Sequence, residues 1–258
     1  MQQVSDGGAR IERSHQARAL LVRPGTDSAK GDGSSLMGKQ QSRQTSFALC
    51  VLLVAALVSA CGDEEQPAPR CAGDEMVHMN APALGIDFYI DKYEASRADA
   101  SADSAGSYEK LACSVPAALP WAQVTHEMAK QACEAVGKRL CTEEEWRAAC
   151  GSLGANYAYP YAANYDASRC NGDDGSGNTS LAPTASFDTC LSLQKVFDLS
   201  GNVREWTSDG DAGPALMGGG FGSGKFDLSC EVPFRPTEGV NYEPGTGDGF
   251  RCCRSSAP

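Results

Sequence analysis

The chain has 258 residues and a formal net charge of −11, with 22 lysines and arginines against 33 aspartates and glutamates. Such an acidic chain is not expected to bind nucleic acid, because phosphate backbones are recognised by clustered basic side chains. The charge fits a solvated exported protein or a cation binder.

The amino-terminal part carries targeting signals. An apolar run, FALCVLLVAALVSA, extends over residues 47–60, and two basic residues precede it closely. The run is too short for a comfortable bilayer span and is typical of a signal-peptide core. We therefore predict a signal peptide at residues 37–60 that begins at Met37. Residues 1–36, rich in Ser, Gly and Arg, are then either the product of a start assigned too early or a disordered cytoplasmic extension.

Small residues precede Cys61, as in a lipoprotein signal, where the cysteine is lipidated and becomes the new amino terminus. We expect Cys61 to anchor the protein to a bacterial membrane, on its periplasmic or cell-surface face. An ordinary signal peptide cleaved nearby, or an uncleaved anchor, is the alternative. Residues 61–70 are acidic, contain Pro and are predicted to be a tether. Residues 71–258 remain for one domain of ordinary size.

The first regular elements of this domain are a strand and a helix. Residues Phe88 to Ala95 alternate well enough for a strand and are rich in aromatic and β-branched side chains. Residues 126–136 have helical composition, with Thr125 as the expected N-cap and Gly137 as the residue that ends the helix.

A second helix is predicted from Glu143 to about Cys150. Thr142 and Glu145 have the spacing of a capping box. Trp146 should face the core together with Ala149 and Cys150, because these positions share one helix face. The stretch that follows, through Asn178, is irregular and needs cross-links or a bound ion to hold it.

Cysteine usage indicates an oxidising compartment. Outside the signal peptide and Cys61, ten cysteines remain, an even number that favours disulfides in an exported domain. A zinc site is the rival interpretation, but it needs short Cys-x-x-Cys spacings, and the chain has only one adjacent pair. The ten are Cys71, Cys113, Cys133, Cys141, Cys150, Cys170, Cys190, Cys230, Cys252 and Cys253.

Four motifs follow one another in order: GKRLCTEEEW at 137–146, GNVREW at 201–206, GGGF at 218–221 and GFRCC at 249–253. Together they resemble the formylglycine-generating enzyme, or sulfatase-modifying factor, family over nearly the whole of residues 71–258. The resemblance implies the fold that this family shares with C-type lectins. That fold is α+β and loop-rich, with two short helices, small antiparallel sheets and, here, many disulfides.

The resemblance also implies calcium sites. Around GNVREW the ligands are expected to be the Asp198 and Glu205 side chains and the Gly201 and Val203 carbonyls. Calcium takes about six to eight oxygen ligands, and a tight turn can direct carbonyls and carboxylates to one point. An ordinary Gly-Asn turn with a solvated Glu205 is the alternative. A second site is expected in the loop after the helices, where a solvated acidic loop is the alternative; its oxygen donors are Asn171, Asp173 and Asp174.

The family enzyme oxidises a sulfatase cysteine to formylglycine with molecular oxygen and copper(I), a soft ion that prefers two nearby thiolates. Ser223 and Gly224 stand where the first of these cysteines is expected. Cys230 lies one residue beyond the second expected position, and residues 225–229 contain no cysteine. Cys230 is therefore either disulfide-bonded or, with an unidentified partner thiol, catalytic. By proximity and analogy, the expected bridges are Cys190–Cys230, Cys150–Cys170, Cys71–Cys113, and Cys133 and Cys141 with Cys252 and Cys253.

Two functions follow from this comparison. One is a lipid-anchored, calcium-stabilised binding or structural module without oxidase activity, whose ligand is a peptide, a glycan or another exported protein. The other is a copper-dependent oxidase acting on exported sulfatases. The expected ligand surface, for which ordinary loop and core is the alternative interpretation, comprises Phe221, Ser223, Lys225, Phe226, Arg235 and Arg251.

Overall fold

The computed structural model describes residues 69–173, 179–208, 210, 212–237 and 241–257. The predicted signal peptide, the lipidation site Cys61 and nearly all of the predicted tether lie outside these residues, and so does Asp174. Within the described ranges, no helix is both long and apolar enough to cross a membrane.

A β-hairpin opens the domain. Strand β1 (Met76–Ala81) pairs with β2 (Ile86–Asp91) in antiparallel register, with Met79 opposite Phe88. A 3-10 turn at Pro82–Leu84 joins the strands and is closed by Gly85, whose φ of 68° lies in the left-handed region that favours glycine. The sequence predicted the second strand of this hairpin and missed the first.

Two strands from distant parts of the chain extend the hairpin. Strand β9 (Cys252–Arg254) pairs with β2 and with β5 (Arg139–Leu140), so that the sheet order is β1-β2-β9-β5. All three strand pairings in this sheet are antiparallel. The adjacent cysteines of β9 bridge to Cys133 and Cys141, which fixes this carboxyl-terminal strand against the helical segment.

Two smaller sheets complete the strands. Strands β3 (Ser96–Arg97) and β4 (Ala112–Cys113) form an antiparallel pair. Strand β6 (Arg204–Trp206) lies between β7 (Leu216–Met217) and β8 (Asp248–Phe250). The β6–β8 pair is parallel, which departs from the expected antiparallel arrangement because the long connection between these strands returns to the same end of the sheet.

Both predicted helices are present with the predicted N-caps, but the first ends at Glu134, before the predicted end at residue 136. Helix α1 (His126–Glu134) begins after Thr125, whose hydroxyl accepts a hydrogen bond from the Met128 amide at 3.2 Å. Helix α2 (Glu143–Cys150) has the full capping box between Thr142 and Glu145. Its apolar face is buried as predicted and contains Trp146, Ala149 and Cys150.

The ten cysteines form five disulfides. Cys71–Cys113, Cys133–Cys252 and Cys141–Cys253 agree with the expected pairing. The other two bridges correct it, since Cys150 pairs with Cys230 and Cys170 pairs with Cys190. The end of α2 faces the Cys230 loop across the core, whereas Cys170 and Cys190 close the irregular segment locally.

Two clusters of buried side chains form the core. One is built around Trp146, with Met79, Phe88 and Leu199 among its members. The other contains Trp121, Trp206 and Phe250 together with the buried face of α1. The three tryptophans are each 1% exposed or less and are among the largest buried side chains of the two clusters.

Candidate functional site

The GNVREW segment folds as a tight turn that leads into β6. Gly201 has a φ of 80° and Asn202 a φ of 60°, both in the left-handed region. A Cβ atom at Gly201 would lie 2.2 Å from the Asn171 carbonyl oxygen, so only glycine fits there. The Asn202 amide donates to that same carbonyl at 2.8 Å. The turn is therefore packed directly against Asn171, and the two predicted calcium sites are neighbours.

Glu94 fastens this turn from a position 108 residues away in the chain. Its carboxylate accepts hydrogen bonds from the Val203 amide at 2.9 Å and from Asn202 Nδ2 at 2.5 Å. The Asn202 Oδ1 atom in turn accepts from Asn171 Nδ2 at 2.9 Å. Glu94 is fully buried. A chain of side-chain hydrogen bonds thus joins Glu94, Asn202 and Asn171.

Glu205 lies beside this chain and is held by two donors. The Arg251 guanidinium donates to both carboxylate oxygens at 2.6 Å, and Trp146 Nε1 donates to Oε2 at 2.6 Å. All three side chains are buried. Arg251 was predicted to lie on a ligand surface, and this prediction is wrong: the motif that contains it forms core strands, and its charge neutralises Glu205.

The buried carboxylates outnumber the cations around them. Asp198, Glu94 and Glu205 interact electrostatically with one another and with the single guanidinium of Arg251. Burial, reinforced by the other two carboxylates, raises the pKa of Glu94 well above its ordinary value. Burial likewise raises the pKa of Asp198 to about 7, although the Ala185 amide donates to its carboxylate at 2.7 Å. Fully ionised, the three carboxylates would carry more negative charge than the Arg251 guanidinium balances, and two of them accordingly hold protons more tightly than usual.

Only part of the predicted second calcium site lies within the described residues. Asn171 is buried, and its Oδ1 atom has no hydrogen-bond partner among the described residues. Asp173 is exposed, and Asp174 lies outside the described residues. No group of three or more His, Cys, Asp or Glu side chains in the described ranges is placed to hold a metal ion. The first predicted calcium site, around GNVREW, contains two carboxylates and two backbone carbonyls.

Cys230 is buried and joined to Cys150. It lies at the end of the loop that follows the GGGF motif, and its amide donates to the Ala158 carbonyl at 2.9 Å. No other cysteine occurs between Gly218 and Glu231. Both sulfurs of this bridge belong to the Trp146 core cluster, so the bridge is a structural part of the interior.

The predicted ligand surface divides into three parts. A cavity of about 430 Å³ is bordered by Ser223, Phe226 and Phe234. An adjoining cavity of about 380 Å³ has a wall of glycines and contains Phe221 and Ser223. Lys225 is exposed on the same loop. Arg235 lies apart from them, in a third cavity where it forms an ion pair with Glu143.

Arg204 borders both of the first two cavities and was missed as a site residue by the sequence analysis. Its Nε atom donates to Asp248 at 2.7 Å, and its guanidinium carbon lies 4.4 Å from the centre of the Phe234 ring. Phe226 is 73% exposed and Phe234 is 41% exposed. We call the surface around these three residues and Ser223 the Phe226 groove.

The two capped helices, three small sheets and five disulfides define a loop-rich α+β domain of the C-type-lectin-like class. Residues 59–256 match the family described as sulfatase-modifying factor enzyme 1-like domain, and the chain belongs to this family. None of the curated proteins compared with the chain matches it.

Two solved structures with a TM-score of 0.50 share the fold. Treponema denticola variable protein 1 has a TM-score of 0.50 and 13% identity, covering 72% of this chain and 94% of that one. The protein CarF has a TM-score of 0.50 and 16% identity, with the same coverage. PvdO from Pseudomonas aeruginosa has a TM-score of 0.47 and 16% identity, covering 71% of this chain and 91% of its own.

Proposed function

We propose that this protein is a non-catalytic binding module of the sulfatase-modifying factor family. The observation that carries the proposal is the disulfide between Cys230 and Cys150, with Cys230 only 1% exposed. A copper(I) oxidase needs two accessible thiolates. Here the one cysteine near the expected position is bonded and buried, and Ser223 and Gly224 occupy the place of the other.

The Phe226 groove is the surface on which we place the ligand. Exposed aromatic side chains beside a concave surface are typical of sites that bind another macromolecule. Phe226 supplies apolar area, and the ion-paired Arg204 gives the floor of the groove a fixed polar group. Loops on a disulfide-bonded scaffold suit recognition because their sequence can vary without loss of the fold. The ligand is an exported polypeptide or glycan.

Thiol mapping tests the absence of oxidase chemistry. The protein is produced in an oxidising compartment, its thiols are trapped without reduction, and its bridges are mapped by mass spectrometry. We expect no free thiol among the ten cysteines and a Cys150–Cys230 peptide that resists mild reduction. A free or readily reduced Cys230, together with oxidation of a cysteine-containing sulfatase peptide after copper loading, would overturn the proposal in favour of the oxidase.

A calcium ion at the GNVREW turn is a second part of the proposal. It is supported by the fit of the residues: three buried carboxyl groups share one guanidinium, and the buried Oδ1 atom of Asn171 has no donor among the described residues. Asp198 and Glu205, with the carbonyls of Gly201 and Val203, would hold the ion. When bound, calcium would supply positive charge that neutralises this cluster.

Melting experiments test the calcium site. At a calcium concentration about 100 times the dissociation constant, the ion adds about 2.7 kcal/mol to the free energy of unfolding. We expect a melting temperature that rises by several degrees when calcium replaces a chelator. Asp198→Ala should remove this response, whereas the exposed Asp227→Ala should retain it. A melting temperature that is the same with calcium and with chelator would contradict the proposal.

Membrane anchoring through Cys61 also belongs to the proposal, and the sequence alone supports it. The small residues before Cys61 and the ten disulfide-forming cysteines are consistent with export and lipidation. Cys61→Ser should move the protein from the membrane fraction to the soluble exported fraction and abolish labelling with a radioactive fatty acid. An unchanged distribution would show that Cys61 carries no lipid.

A further inference from the structure

A cavity of about 750 Å³ lies beside the Phe226 groove and has its own set of polar groups. Phe221 borders both this cavity and the glycine-walled one, so the two cavities adjoin. We call it the Gln123 cavity. Its volume is in the range of sites for small organic ligands. The lining residues used below are Arg97, Glu109, Gln123, Ser180, Leu181 and Phe221.

One wall of the Gln123 cavity is rigid. The Arg97 guanidinium donates to Glu109 at 2.8 Å and to the Ala105 carbonyl at 3.3 Å. Its guanidinium carbon also lies 4.7 Å from the centre of the Trp121 ring. These contacts neutralise the charge of Arg97 and hold its side chain in one orientation. The wall therefore presents an arranged donor and acceptor pair and lacks the free positive charge that an anionic ligand requires.

The interior of this wall carries two donors without acceptors. Arg97 Nε and Trp121 Nε1 are buried and have no hydrogen-bond partner among the described residues. Buried polar groups are nearly always paired, so an orphan donor is a sign of a missing water or ligand oxygen. Arg97 lines the cavity, and the Trp121 ring contacts its guanidinium from outside the lining. This part of the fold therefore contains two buried N–H donors that no acceptor among the described residues satisfies.

The mouth of the cavity contains a backbone outlier. Gln123 has a φ of 55°, in the left-handed region where residues other than glycine are uncommon. Its side chain is exposed, and it is one of nine non-glycine residues with a positive φ among the described residues. Residues held in such conformations cluster at ligand sites. The amide of Gln123 can both donate and accept a hydrogen bond, as can the exposed hydroxyl of Ser180.

The composition of the lining selects the class of ligand. Leu181 and Phe221 give an apolar surface, while Gln123 and Ser180 are uncharged groups that donate and accept. The ion-paired Arg97 and the acidic charge of the whole chain disfavour anions. A ligand that fits is neutral, with apolar faces and several groups that both donate and accept hydrogen bonds. Sugar rings have this combination of C–H faces and hydroxyls.

We propose that the Gln123 cavity binds a neutral saccharide of one or two rings. This inference rests on the proposed binding function and names a ligand class for a subsite beside the Phe226 groove. The sugar ring lies against Phe221 and Leu181, and its hydroxyls exchange hydrogen bonds with Gln123, Ser180 and the Arg97–Glu109 pair. The site uses none of the residues assigned to the calcium ion.

Saturation-transfer NMR and calorimetry on the oxidised full-length protein test this site. The probes are glucose, N-acetylglucosamine and N,N′-diacetylchitobiose, and we expect at least one to bind with a dissociation constant of about 1 mM or lower. Gln123→Gly removes the amide while accommodating the positive φ, and Ser180→Ala removes the hydroxyl. Each should weaken binding about fivefold, the effect of losing one neutral hydrogen bond.

Leu193→Ala is the matched control, because Leu193 is an exposed apolar residue that borders neither the Gln123 cavity nor the Phe226 groove. It should leave saccharide affinity unchanged. Failure of all three probes to bind, or equal weakening by Leu193→Ala and by the cavity variants, overturns the saccharide site. Neither outcome affects the non-catalytic proposal, which depends on the state of the cysteines. Melting temperatures of all variants confirm that a loss of binding is not a loss of fold.

Discussion

Arg251 and Glu205 form an ion pair in the interior of the domain, with two contacts of 2.6 Å between the guanidinium and the carboxylate. Arg251 is 0% exposed and Glu205 is 1% exposed. The pair joins the strand β6, which leaves the GNVREW turn, to the segment between β8 and β9. It therefore ties the candidate cation site to the sheet that ends the chain.

Arg251→Met should be among the most damaging single substitutions. It leaves Glu205 buried without its cation, beside the carboxylates of Asp198 and Glu94. Removing one partner of a buried ion pair costs about 3–5 kcal/mol. Denaturant unfolding should show this loss, and the double variant Arg251→Met with Glu205→Gln should recover part of it. A loss below about 1 kcal/mol for the single variant would show that the pair contributes little.

Lys138 and Asp91 form a second buried ion pair, at 2.7 Å, that predicts a pH dependence. Burial raises the pKa of Asp91 to about 6, even though Lys138 lowers it. Because this value exceeds the ordinary 3.8, the native state binds the proton more tightly than the unfolded state. The Asp91 contribution to stability is therefore full at low pH and is lost as the pH rises through about 6.

Lys138→Met should enlarge this dependence, because Asp91 then lacks its cation. We expect a loss of about 3–5 kcal/mol at pH 7.5 and a clearly smaller loss at pH 5, measured by urea unfolding. Lys92→Met is the control: the Lys92–Glu75 pair is partly exposed, so its loss should cost less than about 1 kcal/mol at either pH. Equal losses for Lys138→Met at both pH values would contradict the assignment.

The features predicted correctly from the sequence are local ones. Thr142 and Glu145 are three residues apart, so the capping box is visible without knowledge of the fold. The helix face of Trp146 follows from the same short-range periodicity. The four family motifs predicted the fold class, because their order along the domain is typical of the whole family and not of any single segment.

The features that were missed depend on contacts between distant segments. Glu94 contacts Val203 across 109 residues, and nothing in the sequence around Glu94 indicates that contact. The burial of Arg251 was equally invisible, because its position within the GFRCC motif does not show whether its side chain faces the core. Cys150 was paired with the nearer Cys170, but the end of α2 is packed against the loop that contains Cys230.

Removal of the two mispredicted bridges should affect stability to different degrees. The Cys150–Cys230 bridge closes a separation of 80 residues and the Cys170–Cys190 bridge one of 20. By chain-entropy scaling, replacing the first pair with Ala should cost about 4.5 kcal/mol and the second about 3.3 kcal/mol. Chemical unfolding of the two double variants measures the difference. The reverse order would indicate that strain or residual structure outweighs loop closure.

Gly201→Ala tests the packing of the turn against Asn171. The new Cβ would meet the Asn171 carbonyl oxygen at 2.2 Å, and the φ of 80° disfavours any side chain. We expect a loss of more than about 2 kcal/mol in unfolding free energy and a weaker response to calcium, because the carbonyls of the turn must move. Gly222→Ala is the matched control, since nothing lies within 4 Å of its Cβ position. It should change stability by less than about 1 kcal/mol. Similar losses for both glycines would mean that the Asn171 contact does not shape the turn.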